Sequence, residues 1–326
     1  MNTTLSPLGA EARRRISRIG LAFFLFFAIT FAVQLGLSLL LALMPTFAAH
    51  PAVTWLLSMV PMYGFAFPVF YLLLRPLSPS TVTPHRLGGR DFFIFFFISY
   101  ALVYLGNLVG TVINAFTDLF TGAQSSSDAT ALIEESPLYL VFIFAVVLGP
   151  IVEETMFRGI VLPRLLPFGE GFAILVSALL FGLFHGNLSQ FVYAFLLGAF
   201  FGFLYCRTGR LRHAILLHAA INFVGSILPL LVLRGVDLEA LSGEGAMTPE
   251  ELAPLLPQLF LLAGYGMLVL GAVAVGAYLL YRYRKTLAPR EGACLLERGE
   301  LGRVFLSVGG VLAALTALFL IVLSYL

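Results

Sequence analysis

From Ile19 to Met44 the chain runs for 26 residues without one charged side chain. A helix needs roughly 20 apolar residues to cross about 30 Å of hydrocarbon. In lipid the backbone must satisfy its own hydrogen bonds, so a run of this length crosses as a helix. Comparable runs recur at 53–74, 92–117, 138–162, 172–187, 190–206, 213–233, 256–281 and 304–325. The expected fold is therefore all-α, a polytopic transmembrane helix bundle of about 8–9 spans. The count turns on 172–187 and 190–206, which are short and separated only by Gly186 to Ser189. They read as two spans, or as one span plus a re-entrant segment.

Composition agrees. Hydrophobic residues make up 60% of the chain and charged residues 11%, against about a quarter charged in soluble domains. Eighteen of the nineteen basic residues are Arg, gathered at the ends of apolar runs. That distribution marks membrane orientation, and it leaves no water-facing basic surface of the kind nucleic-acid binders carry. Cys206 and Cys294 fit neither a disulfide framework nor a CxxC metal motif and are expected to be inert. The first apolar run exceeds the 7–15 residues of a cleavable signal core, so it reads as a retained helix behind Arg13, Arg14, Arg15 and Arg18.

Loop charges orient the bundle, because Arg and Lys concentrate in cytoplasmic loops. With the N-terminus inside, Arg75, Arg86 and Arg90 fall inside, as do Arg164, then Arg207, Arg210 and Arg212, and finally Arg282, Arg284, Lys285, Arg290, Arg298 and Arg303. The segment 118–137, with Asp118, Asp128, Glu134 and Glu135, falls outside, as does 234–255 with five carboxylates. The Ser-rich 122–130 and the Gly-, Pro- and acid-containing 237–255 read as flexible outer loops. The pattern predicts nine alternating spans, N-terminus in the cytoplasm and C-terminus outside, in a multi-pass protein of the plasma membrane. Residues 1–120 read as scaffold helices, 138–233 as the core carrying the chemistry, and 256–326 as C-terminal transmembrane helices.

Ionisable side chains inside a bilayer are costly and mark functional sites by default. Here they are Glu153, Glu154, Arg158, His185, His213 and His218. Glu154 and Arg158 are four residues apart on one helix face, the spacing of an ion pair, and are read as structural support. Glu153 is turned about 100° away from Glu154, has no local cation, and suits a general base. Pro150, after Gly149, is expected to break or kink this helix, and broken helices are tolerated where they line a wet cavity. His218 and Asn222 are also four apart and share a face. Each residue has a plainer reading: Glu153 as a solvated carboxylate, His185 as a hydrogen-bonded structural histidine, Asn222 as interhelical glue. The functional reading rests on their conjunction, since four buried polar groups on three spans need each other or a substrate. His213, beside Arg212, reads as interfacial. Gly198 and Gly202 form a small-xxx-small pattern for close helix packing.

The motifs resemble those of a known family. Glu153-Glu-Thr-Met-Phe-Arg158 is similar to the EExxxR motif of the CPBP family, the CAAX-protease and bacteriocin-processing intramembrane peptidases, also called Abi. Phe181 to His185 matches its FxxxH motif and His218 to Asn222 its HxxxN motif. Order and spacing agree, over roughly residues 150–225, and no motif position departs from the pattern. The resemblance implies an intramembrane endopeptidase with its site between helices in the cytoplasmic half of the membrane. It implies that Glu153 and His185 activate a water, that His218 and Asn222 stabilise the oxyanion, and that Glu154 and Arg158 hold the geometry. Glu153 and His218 both fall in the cytoplasmic half of their spans, whereas His185 comes out deeper if its helix starts at 172.

The metal question has two answers at this stage. Glu153, His185 and His218 have the residue types of a zinc ligand set, but the HExxH pattern of zinc peptidases is absent. A metal-free, cofactor-free scheme is the favoured expectation. The expected partners are the lipid bilayer and a peptide or membrane-protein substrate, lipid-modified in some members of such a class. Two other readings stay open: a non-catalytic scaffold or immunity protein of the same fold, and a proton-coupled transporter.

Overall fold

The computed structural model describes residues 5–121, 132–133, 135–237, 249–289 and 294–325. The expected Ser-rich loop 122–130, the loop portion 238–248 and the charges Asp128, Glu134 and Arg290 lie outside them. Among the described residues there is no strand. The helices that build the bundle are α1 (Pro7–Leu41), α2 (Pro51–Leu74), α3 (Gly89–Phe120), α4 (Leu138–Phe168), α5 (Glu170–Phe184), α6 (Leu188–Thr208), α7 (Leu211–Leu233) and α8 (Ala253–Tyr283), followed by α9 (Gly299–Phe305) and α10 (Val308–Leu323).

Seven of these helices are long and apolar enough to cross a membrane, and the α9–α10 pair, bent by 69°, brings the count to at most eight. The segment left out by length is 172–187, one of the pair already read as two spans or as one span plus a re-entrant segment. That segment is α5, fifteen residues long and so about 22 Å, too short to cross alone. It pairs with α6 as a hairpin inside the bundle. The first helix also starts earlier than expected, so Arg13, Arg14, Arg15 and Arg18 are part of α1 rather than a tail before it.

The basic segments gather at one end of the bundle. Arg15 donates to the carbonyls of Ser78 and Arg164, and Arg164 to that of Leu74. The amide of His85 reaches the Thr208 carbonyl, and that of Leu295 the Phe168 carbonyl. Arg207 pairs with Glu170 at 2.7 Å, which puts both ends of the α5–α6 hairpin on this side. At the other end the Trp55 indole donates to Ser136, and Tyr325 and Ser189 meet at Asn114.

Four π-helical stretches interrupt the α-helical winding: Val60–Ala66, Phe142–Leu148, Thr155–Val161 and Phe223–Ile227. One residue separates each from a proline, respectively Pro68, Pro150, Pro163 and Pro229. Proline has no N–H to donate and its ring collides with the carbonyl four residues back. A wider turn moves that carbonyl aside; ahead of Pro150, for example, the Gly149 amide bonds five residues back to Phe144. The helix expected to break or kink at Pro150 does not break there, and α4 continues through it. Three of these stretches lie next to the ionisable residues, in keeping with the tendency of π turns to sit at functional sites.

The core is dominated by phenylalanine. Phe23, Phe26, Phe70, Phe157, Phe168, Phe181 and Phe201 are fully buried. Gly198 seats α6 against Ala178 and Phe181, and Gly202 seats it against Leu162 and Ile174, the close packing expected of the pair. Cys206 is buried and Cys294 exposed, and the two form no disulfide.

Candidate active site

The site is assembled around one carboxylate oxygen. Glu154 and Arg158, one helical turn apart on α4, are both 0% exposed and pair at 3.0 Å through Glu154 Oε1 and Arg158 Nη1. The same Oε1 lies 2.9 Å from His218 Nδ1 on α7. A carboxylate paired with an arginine accepts, so His218 Nδ1 carries the hydrogen. Arg158 is in turn fixed by three neighbours. Its Nη2 donates to the Gly198 carbonyl at 3.0 Å, and its guanidinium lies 4.3 Å from the centroid of Phe181 and 5.6 Å from that of Phe201. Burial of a charge is tolerable only with such partners, and the short step at Gly198 is what lets the α6 backbone supply one.

This anchoring sends the other nitrogen of His218 toward Glu153: Nε2 is 3.9 Å from Glu153 Oε2. Glu153 was expected to stand alone. It has a second neighbour, since Tyr63 on α2 donates from its hydroxyl to Glu153 Oε1 at 3.4 Å. His185 ends α5, with Nδ1 2.9 Å from the Phe181 carbonyl. A carbonyl only accepts, so this fixes the hydrogen on Nδ1 and leaves the Nε2 lone pair free. The rings of His185 and His218 both lie against Phe181, at centroid distances of 5.1 and 5.9 Å. Asn222, one turn beyond His218, gives one amide hydrogen to the Ala145 carbonyl at 2.9 Å and keeps the other.

Glu153, Glu154, Arg158 and His218 thus form one contact cluster, with His185 joined to it through Phe181 and Asn222 tied to the turn of α4 before Pro150. The helix carrying Glu153 runs on to Phe168 rather than stopping near 162, so Glu153 is the midpoint of α4. His213 lies in the first turn of α7, buried, beside Arg212. Among the described residues no three His, Cys, Asp or Glu side chains gather closely enough to share a metal ion.

Tyr63 is the residue that the sequence reading missed, and it belongs to the segment read as scaffold. A signal was present. Tyrosines of membrane proteins concentrate at the interfaces, whereas Tyr63 sits mid-helix between Pro61 and Gly64.

Comparison with known proteins bears on this geometry. Residues 135–224, which hold Glu153, Glu154, Arg158, His185, His218 and Asn222, match the family model for Type II CAAX prenyl endopeptidase Rce1-like proteins. Relatives include a Bacillus subtilis (strain 168) protein named as a membrane peptidase, YdiL. It is 32% identical over 165 residues, covering 47% of this chain and 64% of the relative. The Homo sapiens CAAX prenyl protease 2 is 34% identical over 100 residues, 24% of this chain and 30% of that protein. The Staphylococcus aureus (strain USA300) membrane-embedded CAAX protease MroQ is 30% identical over 133 residues, 38% of this chain and 53% of the relative. The matched region therefore spans less than two thirds of each of these relatives. No solved structure matches the chain. The Rce1-like domain accounts for α4 to the middle of α7, and Tyr63 reaches its site from α2, outside the matched region.

Proposed function

We propose that this chain is an intramembrane endopeptidase of the CAAX-protease type that hydrolyses peptide bonds with a water activated by Glu153 and His185. The observation that carries the reading is the shared oxygen of Glu154. By bonding Arg158 and His218 together, it aims His218 Nε2 at Glu153 and the space a scissile carbonyl would enter.

The chemistry follows from the protons. Glu153 takes a proton from the water as its oxygen attacks the carbonyl carbon, with the free Nε2 of His185 as the second acceptor. The carbonyl oxygen becomes an oxyanion. It receives the second amide hydrogen of Asn222 and a hydrogen from His218 Nε2. Because His218 Nδ1 already donates to Glu154, this role requires an imidazolium protonated on both nitrogens. When the C–N bond breaks, the proton held at Glu153 passes to the leaving amine, and the products are a carboxylic acid and an amine. Glu154 and Arg158 position His218 and do not touch the reacting atoms.

The site operates without a metal in this scheme. The substrate is a peptide or membrane protein presented from the bilayer, and the names of the human and staphylococcal relatives favour a lipid-modified C-terminal segment. The basic end of the bundle faces the cytoplasm, with the N-terminus inside, in the plasma membrane. The test is cleavage of a lipidated and unlipidated peptide library by protein reconstituted in vesicles. Wild type cleaves, Glu153→Gln and His218→Ala do not, and a chelator leaves the wild-type rate unchanged. Full activity in either variant rejects the site assignment, and chelator sensitivity rejects the metal-free scheme.

A further inference from the structure

We infer that Tyr63 is a positioning residue for Glu153, recruited to the site from outside the matched family domain. The inference rests on the proposed role of Glu153 as the base. A glutamate carboxylate turns broadly about its last torsion, yet a general base must hold one oxygen toward the proton it takes. Here the two oxygens are differentiated. Oε1 accepts from the Tyr63 hydroxyl, and Oε2 is the oxygen facing His218 Nε2. No other side chain donates to Oε1 among the described residues, and Gly149, on the same side, leaves it open: a Cβ there would stand 3.6 Å from it.

The fold explains how a residue so distant in sequence arrives. Tyr63 lies within the π-helical stretch Val60–Ala66, and the wide turn there shifts the phase of α2 relative to a regular helix. α2 packs against α4 along its second π stretch, so the phenol crosses from one helix to the other. A half-buried tyrosine hydroxyl in a membrane span needs an acceptor, and Glu153 is the one it has. Tyr63 approaches no atom of the substrate in this arrangement; it acts by fixing which oxygen Glu153 presents.

The decisive variant is Tyr63→Phe, which removes one oxygen and keeps the ring. A hydrogen bond to a carboxylate is worth enough to change a rate roughly tenfold. The expected result is a kcat lowered about tenfold with KM within twofold of wild type and thermal stability unchanged. In a Glu153→Asp background, where the shorter carboxylate no longer reaches the phenol, Tyr63→Phe should cost nothing further. A structural role would instead lower stability and act equally in both backgrounds. If Glu153→Gln abolishes cleavage while Tyr63→Phe is wild-type, the tyrosine assignment falls and the site reading stands. If Glu153→Gln is fully active, the site reading falls. A measurement independent of turnover covers that case. The infrared carboxyl band assigned to Glu153 by its loss in Glu153→Gln must shift in Tyr63→Phe, and an unmoved band overturns the proposal whatever the substrate.

Discussion

Replacing Arg158 with leucine tests whether the Glu154–Arg158 pair holds the site together. The substitution removes three things at once: the 3.0 Å bond to Glu154, the 3.0 Å bond to the Gly198 carbonyl, and the guanidinium face on Phe181 at 4.3 Å. It leaves Glu154 buried with His218 as its one remaining donor, and Glu154 Oε2 already has no partner. Breaking a buried pair from one side costs about 3–5 kcal/mol, so Arg158→Leu should destabilise by about 4 kcal/mol. In Glu154→Gln/Arg158→Leu no charge is stranded, and the glutamine oxygen still accepts from His218. What remains is the loss of one hydrogen bond to the Gly198 carbonyl, which still accepts from the backbone within α6, about 0.5–1.5 kcal/mol. The double variant should therefore be more stable than Arg158→Leu alone, by that difference, and should retain more of the peptidase activity. Reversible unfolding in mixed micelles, followed by tryptophan fluorescence, measures the ranking; Trp55 is the single tryptophan. Singles whose costs add in the double variant would refute the coupling, and with it the claim that one carboxylate oxygen organises His218.

Further outcomes follow from the same geometry. Gly209→Ala should destabilise by about 1–2 kcal/mol with per-molecule activity unchanged, because Gly209 has φ +58° and a Cβ would meet the Val82 carbonyl at 2.6 Å; melting temperature and active-fraction titration check it. A membrane-impermeant thiol reagent applied to intact cells should label a Gly235→Cys variant and leave the exposed Cys294 untouched until the membrane is opened. The reverse pattern inverts the topology.

The membrane character and most of the helix positions could be read directly, since runs such as 19–44 and 256–281 admit one structure in lipid. The ionisable site residues stood out for the same reason: Glu153, Glu154, Arg158, His185 and His218 are expensive where they lie. Four features escaped for physical reasons. The hairpin partner α5 is as apolar as a true span, and its pairing with α6 inside the bundle leaves no mark in the sequence. Pro150 signals that the α-helical pattern must fail but not how, and the chain solves it with a wide turn instead of a break. Tyr63 carries no charge, and its mid-span place between Pro61 and Gly64 marks it as unusual without naming a partner; its role depends on where α2 lies against α4. The partner of Asn222, a backbone carbonyl at Ala145, was illegible for the same reason.

The most direct test of the account is the cleavage assay in reconstituted vesicles with Glu153→Gln. That substitution keeps the size and the Tyr63 contact and removes only the ability to take a proton. The account predicts a correctly folded protein with cleavage lost by about 10³-fold or more, within the range expected when an acid–base group is removed. A folded Glu153→Gln protein that cleaves at the wild-type rate would contradict it.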